Sequence, residues 1–252
     1  MSAIYATQVP TAAHGLAGHA LYLDIDGTIL DIAQTPEVVS VPEWLVPLLQ
    51  RLSLKLDGAL AFVSGRTLAS IDELFAPLKL PAIAVHGAEI RAYDEHVIFE
   101  QSLAGQLQRA VPALCAAIEQ LGGVRLENKG SALALHYRSA PARGREVLKL
   151  AELTLFGLGP EFGVLMGKCV VEIRLRHLNK GTALSRLMER PPFRGRTPIF
   201  AGDDSTDEDA FALVNRLGGI SVRVGAPAPS AANFRLADPD ELRGWLCEIE
   251  GA

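Results

Sequence analysis

The chain has 252 residues, 49% of them hydrophobic, and a formal net charge of −5. This is enough for one large domain or two small ones around a real core, and it excludes a disordered chain or a repeat array. The acidic balance, with no basic block, argues against a nucleic-acid partner, and no apolar run reaches membrane-spanning length.

In chain order, residues 1–19 are rich in Ala, Gly and Thr without periodicity and are expected to form a loose lead-in. They lack the basic start and apolar core of a signal peptide. The run Ala20-Leu21-Tyr22-Leu23 reads as a buried strand ending at Asp24-Ile25-Asp26-Gly27-Thr28. In a strand, residues i and i+2 point the same way, so Asp24 and Asp26 can face one pocket at its carboxyl end. Two crowded carboxylates repel unless a cation lies between them or one is protonated. That pairing suits Mg²⁺-assisted aspartyl nucleophilic catalysis, and an acidic turn after a strand is the plainer alternative.

Residues 42–56 carry Trp44, Leu45, Leu48, Leu49 and Leu52 at helical spacing. A second strand over 58–63 ends at Ser64-Gly65-Arg66, a short helix covers 67–75, and a third strand over 81–85 ends at His86-Gly87. Alternating strands and helices with motifs at strand ends predict an α/β fold: a Rossmann-like, mostly parallel, doubly wound core.

The pattern then changes. Strands at 89–93 and 97–100, a helix over 103–121, a hairpin of 124–127 with 132–138, a helix over 143–156 and strands at 164–166 and 169–174 suggest an inserted α+β module. Leu133, Leu135 and Tyr137 alternate with Ala134, His136 and Arg138, which predicts a half-buried strand. From Asn179, expected to cap a helix to residue 188, the first pattern resumes. A strand at 197–201 ends at Gly202-Asp203-Asp204, a helix spans 208–217, and 220–224 reads as the last strand. The expected organisation is a core of 20–90 and 176–252 with a cap of 91–175. The interval from Ser64 to Lys180 far exceeds the roughly 30 residues of one βαβ unit, which leaves room for the insertion. The cysteines Cys115, Cys169 and Cys247 form no CxxC and suit a reducing compartment, so the expected setting is cytoplasmic.

Four segments share one grammar: Asp24-x-Asp26-Gly-Thr28, Ser64-Gly65-Arg66, Lys180 after Asn179, and Gly202-Asp203-Asp204-Ser-Thr206-Asp207. In this order they resemble the haloacid dehalogenase superfamily of phosphotransferases. The resemblance implies an aspartyl-phosphate on Asp24, with Asp26 as acid and then base and Lys180 bridging nucleophile and phosphate. Ser64 and Thr28 would hold phosphate oxygens. Mg²⁺ would sit on Asp24 and Asp203 and the backbone carbonyl of Asp26. Asp207 would hold a metal-bound water or orient Lys180, and Asp204 would support that shell.

The inserted block is expected to act as a cap that excludes water and reads the leaving group. Its hairpin carries Arg125, Glu127, Lys129, His136 and Arg138, which with Glu172 suit a hydroxyl-rich ligand. The runs Val85-His86-Gly87-Ala88-Glu89, Glu127-x-Lys129-Gly130, Leu135-His136-Tyr137-Arg138, Gly167-Lys168-x-Val170-Val171-Glu172 and Asn179-Lys180-Gly181 resemble the trehalose-6-phosphate phosphatases, especially the bacterial form. That likeness implies hydrolysis of trehalose 6-phosphate, with Glu127, Lys129 and Glu172 on sugar or phosphate. It makes Gly65, Arg66, His86, Gly87 and Arg125 further substrate-binding candidates. Another sugar-phosphate phosphatase or a phosphomutase of the same superfamily is the alternative, and the expected assembly is a monomer or weak oligomer. One departure concerns Arg174-Leu175-Arg176-His177-Leu178, which lacks the Pro and Gly usual in that family before Asn179. This crossing is expected to be a hinge, so that Leu175→Pro would change kcat and KM together.

Overall fold

Every residue of Ala20-Leu21-Tyr22-Leu23 and of Leu60–Val63 is buried, as strands covered on both faces require. In the computed structural model, which describes residues 9, 16–32, 39–93, 96–98 and 101–251, these runs lie at the centre of an eight-stranded sheet. The strands are β1 (His19–Leu23), β2 (Leu60–Val63), β3 (Ala82–Ala84), β4 (Glu89–Arg91) and β5 (His96–Ile98) from the first part of the chain. The inserted module supplies β6 (Arg125–Asn128), β7 (Ala132–His136), β8 (Phe162–Gly167) and β9 (Val170–Leu175). The last part supplies β10 (Thr197–Gly202), β11 (Ile220–Val224) and β12 (Phe234–Leu236). The large sheet runs β12-β11-β10-β1-β2-β3-β4-β5, parallel from β12 to β3, with β4 turning back antiparallel on β3. Most of the expected lead-in lies outside the described residues.

The helices of this first unit are α1 (Leu45–Lys55) and α2 (Leu68–Leu74) before the insertion. The insertion itself carries α3 (Gln101–Glu119) and α4 (Gly144–Phe156), and α5 (Lys180–Leu187), α6 (Glu208–Arg216) and α7 (Pro239–Gly251) follow it. Helix α1 packs on α7 and α5 on α6, while α6 covers β10 and β11. Aromatic side chains fill the joints. Phe62 stacks on Phe75 at 4.3 Å between ring centroids, and Phe200 meets Phe211 at 5.3 Å. Strand β12 and helix α7 correct the expectation that 220–224 is the last strand. Phe234-Arg235-Leu236 is too short to carry a period, and its place comes from pairing with β11.

Contacts divide the chain into residues 1–97 with 179–252, and residues 98–178. The hairpin strands β4 and β5 continue the large sheet, so the expected cap range of 91–175 takes in sheet residues at its start. The second unit is an antiparallel sheet, order β6-β7-β9-β8. Helix α3 packs on β6 and β7, α4 on β8 and β9, and the helices on each other. Strand β7 is a central strand with Ala132, Leu133, Ala134 and Leu135 all buried, not the half-buried strand its alternation suggested.

Leu175 itself is the last residue of strand β9, ahead of the crossing to Asn179. It is buried, pairs with Phe162 at the end of β9, and is followed by Arg176 N–H donating to Glu161 O at 2.9 Å. Arg174 Nη1 donates to Leu178 O and ties the outgoing turn to the strand. Proline there would remove a ladder donor and a buried side chain. Leu175→Pro should therefore lower the thermal midpoint by roughly 5 °C or more. An unchanged midpoint with kcat and KM shifted together would support the hinge assignment. All three cysteines are free thiols; Cys115 and Cys247 are exposed on helices and so are not core residues. Among the described residues no helix is long and apolar enough to cross a membrane.

Candidate active site

The carboxyl end of β1 delivers Asp24 into a buried pocket of charge. Its Oδ2 accepts from Thr28 Oγ1 at 3.0 Å and its Oδ1 from Lys180 Nζ at 2.9 Å. Lys180 is the first residue of α5. Asn179 positions it by capping that helix, accepting from Thr182 N–H at 2.8 Å while Thr182 Oγ1 accepts from the Asn179 amide. Lys180 Nζ donates also to Asp207 Oδ1 at 2.7 Å. Asp207 accepts with its other oxygen from the amides of Asp203 and Asp204 at 3.0 and 3.1 Å. Asp204 caps the single turn that carries Asp207, accepting from Thr206 N–H at 2.8 Å and Thr206 Oγ1 at 2.6 Å. The β1 and β10 ends are thus tied to α5 by one lysine.

Glycine is required in the first of these turns. Gly27 has φ +85°, and a Cβ there would fall 2.3 Å from Asp203 Oδ2. The turn that carries the paired aspartates is therefore packed directly against the β10 aspartate.

Electrostatics follow from burial. Asp24 is held well above the usual carboxylate range, first by loss of water and then by Asp207, Asp203 and Asp204, with Lys180 pulling the other way. Burial likewise raises Asp207 against the pull of Lys180. For Lys180 burial opposes the charge, but Asp207 and Asp24 outweigh it and raise its pKa, so it is ammonium at any working pH. Asp204 moves down, because Lys180 and Thr206 outweigh its burial. One carboxylate oxygen each from Asp24, Asp203 and Asp207 lies within 4.8 Å of the others. Three carboxylates against one ammonium leave excess negative charge on hard oxygen ligands, a donor set that fits Mg²⁺. Asp26 does not join this triad with its side chain.

A second group sits beside it. Ser64, at the end of β2, is buried. Its Oγ accepts from the amide of Arg66 at 3.2 Å. Arg66 grips the carboxylate of Asp26 through Nε and Nη2 at 2.7 and 2.6 Å. The chain after β3 makes three left-handed residues in a row, Val85, His86 and Gly87, at φ +47°, +52° and +102°. A β-branched residue there is strained. Amides of Val85 and His86 donating to Arg66 O and Ser64 O at 2.9 and 3.1 Å hold it. The result lays His86 on the backbone of Gly65, where a methyl would meet Nε2 at 2.3 Å.

In the inserted unit, Lys129 Nζ donates to Glu172 Oε1 at 2.5 Å, both side chains nearly buried. His136 Nε2 lies 2.7 Å from Glu127 Oε2. That hydrogen bond, helped by Lys129 and opposed by burial, lowers the Glu127 pKa. Register opposes Ala134 to both Glu127 and Glu172, so β6, β7 and β9 bring the pair together. Arg125 is exposed at the start of β6, opposite His136. Sequence reasoning missed Gln108 of α3, which trades amide bonds with Asn128 at 3.1 and 2.6 Å and donates to Gly130 O at 2.8 Å, bracing the turn that carries Lys129. An exposed glutamine on a helix gives no signal of that contact.

The chain is similar to known proteins over most of its length. The profile of the trehalose-phosphatase family matches residues 22–240. A probable trehalose-phosphate phosphatase of Sinorhizobium fredii is 46% identical over 91% of this chain and 87% of its own. The trehalose-6-phosphate phosphatase of Escherichia coli K12 is 42% identical over 91% and 86%. Among solved structures, a trehalose-6-phosphate phosphatase related protein superposes with a TM-score of 0.75 at 27% identity, covering 92% of this chain and 97% of that one. Matched over most of its length by profile and relatives alike, this chain belongs to the trehalose-phosphatase family.

Proposed function

We propose that this chain is a Mg²⁺-dependent phosphatase that hydrolyses trehalose 6-phosphate to trehalose and phosphate through an aspartyl-phosphate on Asp24. The observation that carries the reading is the buried bridge of Lys180 between Asp24 and Asp207, next to Asp203. Asp24 and Asp203 would hold the metal, with the Asp26 carbonyl, while Asp207, whose oxygens accept from Lys180 and two amides, would orient Lys180. A divalent cation held there would offset the repulsion between a phosphate dianion and the carboxylates.

The chain's own groups account for the rest. Asp24 Oδ attacks phosphorus as the bond from phosphorus to the sugar oxygen breaks, and Asp26 gives that oxygen a proton. Asp26 then takes a proton from water, whose oxygen attacks phosphorus and frees Asp24. Lys180 keeps Asp24 oriented and offsets charge on the transferred oxygens. Thr28, Ser64 and the Gly65, Arg66, His86 and Gly87 segment are the groups we assign to phosphate. Glu127, Lys129 and Glu172, with Arg125, are those we assign to the sugar. The same reading places the enzyme in the cytoplasm, where free thiols persist.

Sugar recognition is tested by selectivity. Glu172→Ala should lower kcat/KM for trehalose 6-phosphate by roughly 100-fold, the scale of a lost charged hydrogen bond. Activity on p-nitrophenyl phosphate should change by less than about threefold. Equal loss on both substrates would remove Glu172 from sugar recognition.

A further inference from the structure

Arg66 holds the carboxylate that the proposed mechanism needs free. Its Nε donates to Asp26 Oδ2 at 2.7 Å and its Nη2 to Asp26 Oδ1 at 2.6 Å, so one planar fork engages both oxygens. The fork is itself anchored. Nη1 donates to Ser70 Oγ of α2 at 3.2 Å, and only 10% of the Arg66 side chain is exposed. The amide of the same residue donates to Ser64 Oγ. Arg66 is therefore tied by its backbone to a group assigned to phosphate and by its side chain to the group assigned to proton transfer. A guanidinium presents its donors to a carboxylate and to a phosphoryl group with the same geometry, so the two anions compete for it.

We propose that Arg66 is a positioning residue that exchanges partners, holding Asp26 in the free enzyme and passing to the phosphate of the substrate, which releases Asp26. The proposal rests on the phosphatase reading above. The exchange replaces one bidentate pair by another, so little is lost in the step. The side being broken is the weaker one, because the Asp26 side chain is 39% exposed and its pairing is screened by water. The side being made carries two negative charges, and so binds the fork more strongly. Asp26 then becomes available in the sites that hold a phosphate to act on. The apparent affinity for phosphate is reduced by the fraction of time the fork is occupied.

Competition of this kind has a signature in binding, apart from turnover. Inorganic phosphate would be titrated calorimetrically, in one Mg²⁺ buffer, into wild type, Asp26→Asn, Arg66→Gln and the double variant, with folding checked by circular dichroism. Asp26→Ala would repeat the series, because Asn keeps one acceptor for the fork. Removing the aspartate frees a fork only where there is a fork to free. The gain in phosphate affinity on losing Asp26 should thus be roughly fivefold or more larger when Arg66 is intact than in the Arg66→Gln background. If Arg66 merely neutralises Asp26, the order reverses, since the bare aspartate charge is felt most when Arg66 is gone. Equal or reversed gains overturn the exchange alone. Absence of phosphate binding in every protein overturns the phosphatase reading, and the exchange with it.

Discussion

Asp24→Asn should leave less than about a hundredth of wild-type turnover, on trehalose 6-phosphate and on p-nitrophenyl phosphate alike. The amide is isosteric: its oxygen can still accept from Lys180, and its NH2 can donate to Thr28 Oγ1, so what it loses is the nucleophilic oxygen pair. Lys180 keeps its bond to Asp207, and the relief of crowding among buried carboxylates offsets the lost ion pair. The variant should therefore unfold within a few degrees of wild type. Residual activity above about a hundredth would sink the nucleophile assignment. Loss of activity with a collapsed thermal midpoint would make Asp24 structural instead.

Lys180→Met should be the most destabilising single change at this centre. Its ammonium is buried between two carboxylates and close to others, and removing one partner of such a group costs about 3–5 kcal/mol through the charge left behind. The pH dependence fixes the cause. Lys180 has a raised pKa, so its contribution is full below the ordinary lysine range and is lost only as pH rises through the raised value. In the variant the unpaired Asp24 and Asp207 favour their protonated forms, so its deficit should be large near neutrality and shrink as pH falls and both take up protons. Urea unfolding of both proteins from pH 7 down to about pH 5 measures this. A deficit independent of pH would mean that Lys180 acts by packing and not by charge.

The residues that meet at the core of the candidate site were legible because most of them lie at strand ends. The apolar run before Asp24 gives the strand and Asn179 before Lys180 gives the capped helix start, whereas the spacing of Asp24 and Asp26 does not show that Asp26 turns its carboxylate to Arg66. What escaped depends on partners far along the chain. Strand β12 exists through its pairing to β11, and β7, buried from Ala132 to Leu135, is a central strand between β6 and β9. Leu175 belongs to a ladder that residues 174–178 by themselves do not reveal. Arg66 and Asp26 are 40 positions apart, and a sequence motif cannot say which anion an arginine holds. The same limit hid the support of Glu127 by His136 and of the Lys129 turn by Gln108. Side chains that meet across strands leave no period in the sequence.

This site is expected to release phosphate from one sugar phosphate in preference to others. Phosphate release with Mg²⁺ would be measured for trehalose 6-phosphate, sucrose 6-phosphate, glucose 6-phosphate, mannose 6-phosphate and p-nitrophenyl phosphate. We expect kcat/KM for trehalose 6-phosphate to exceed every other by roughly 100-fold or more, the discrimination that buried polar contacts to a sugar can supply. Comparable rates across the five substrates would contradict the assignment of Glu127, Lys129 and Glu172 to the sugar, and no release from any of them would contradict the phosphatase itself.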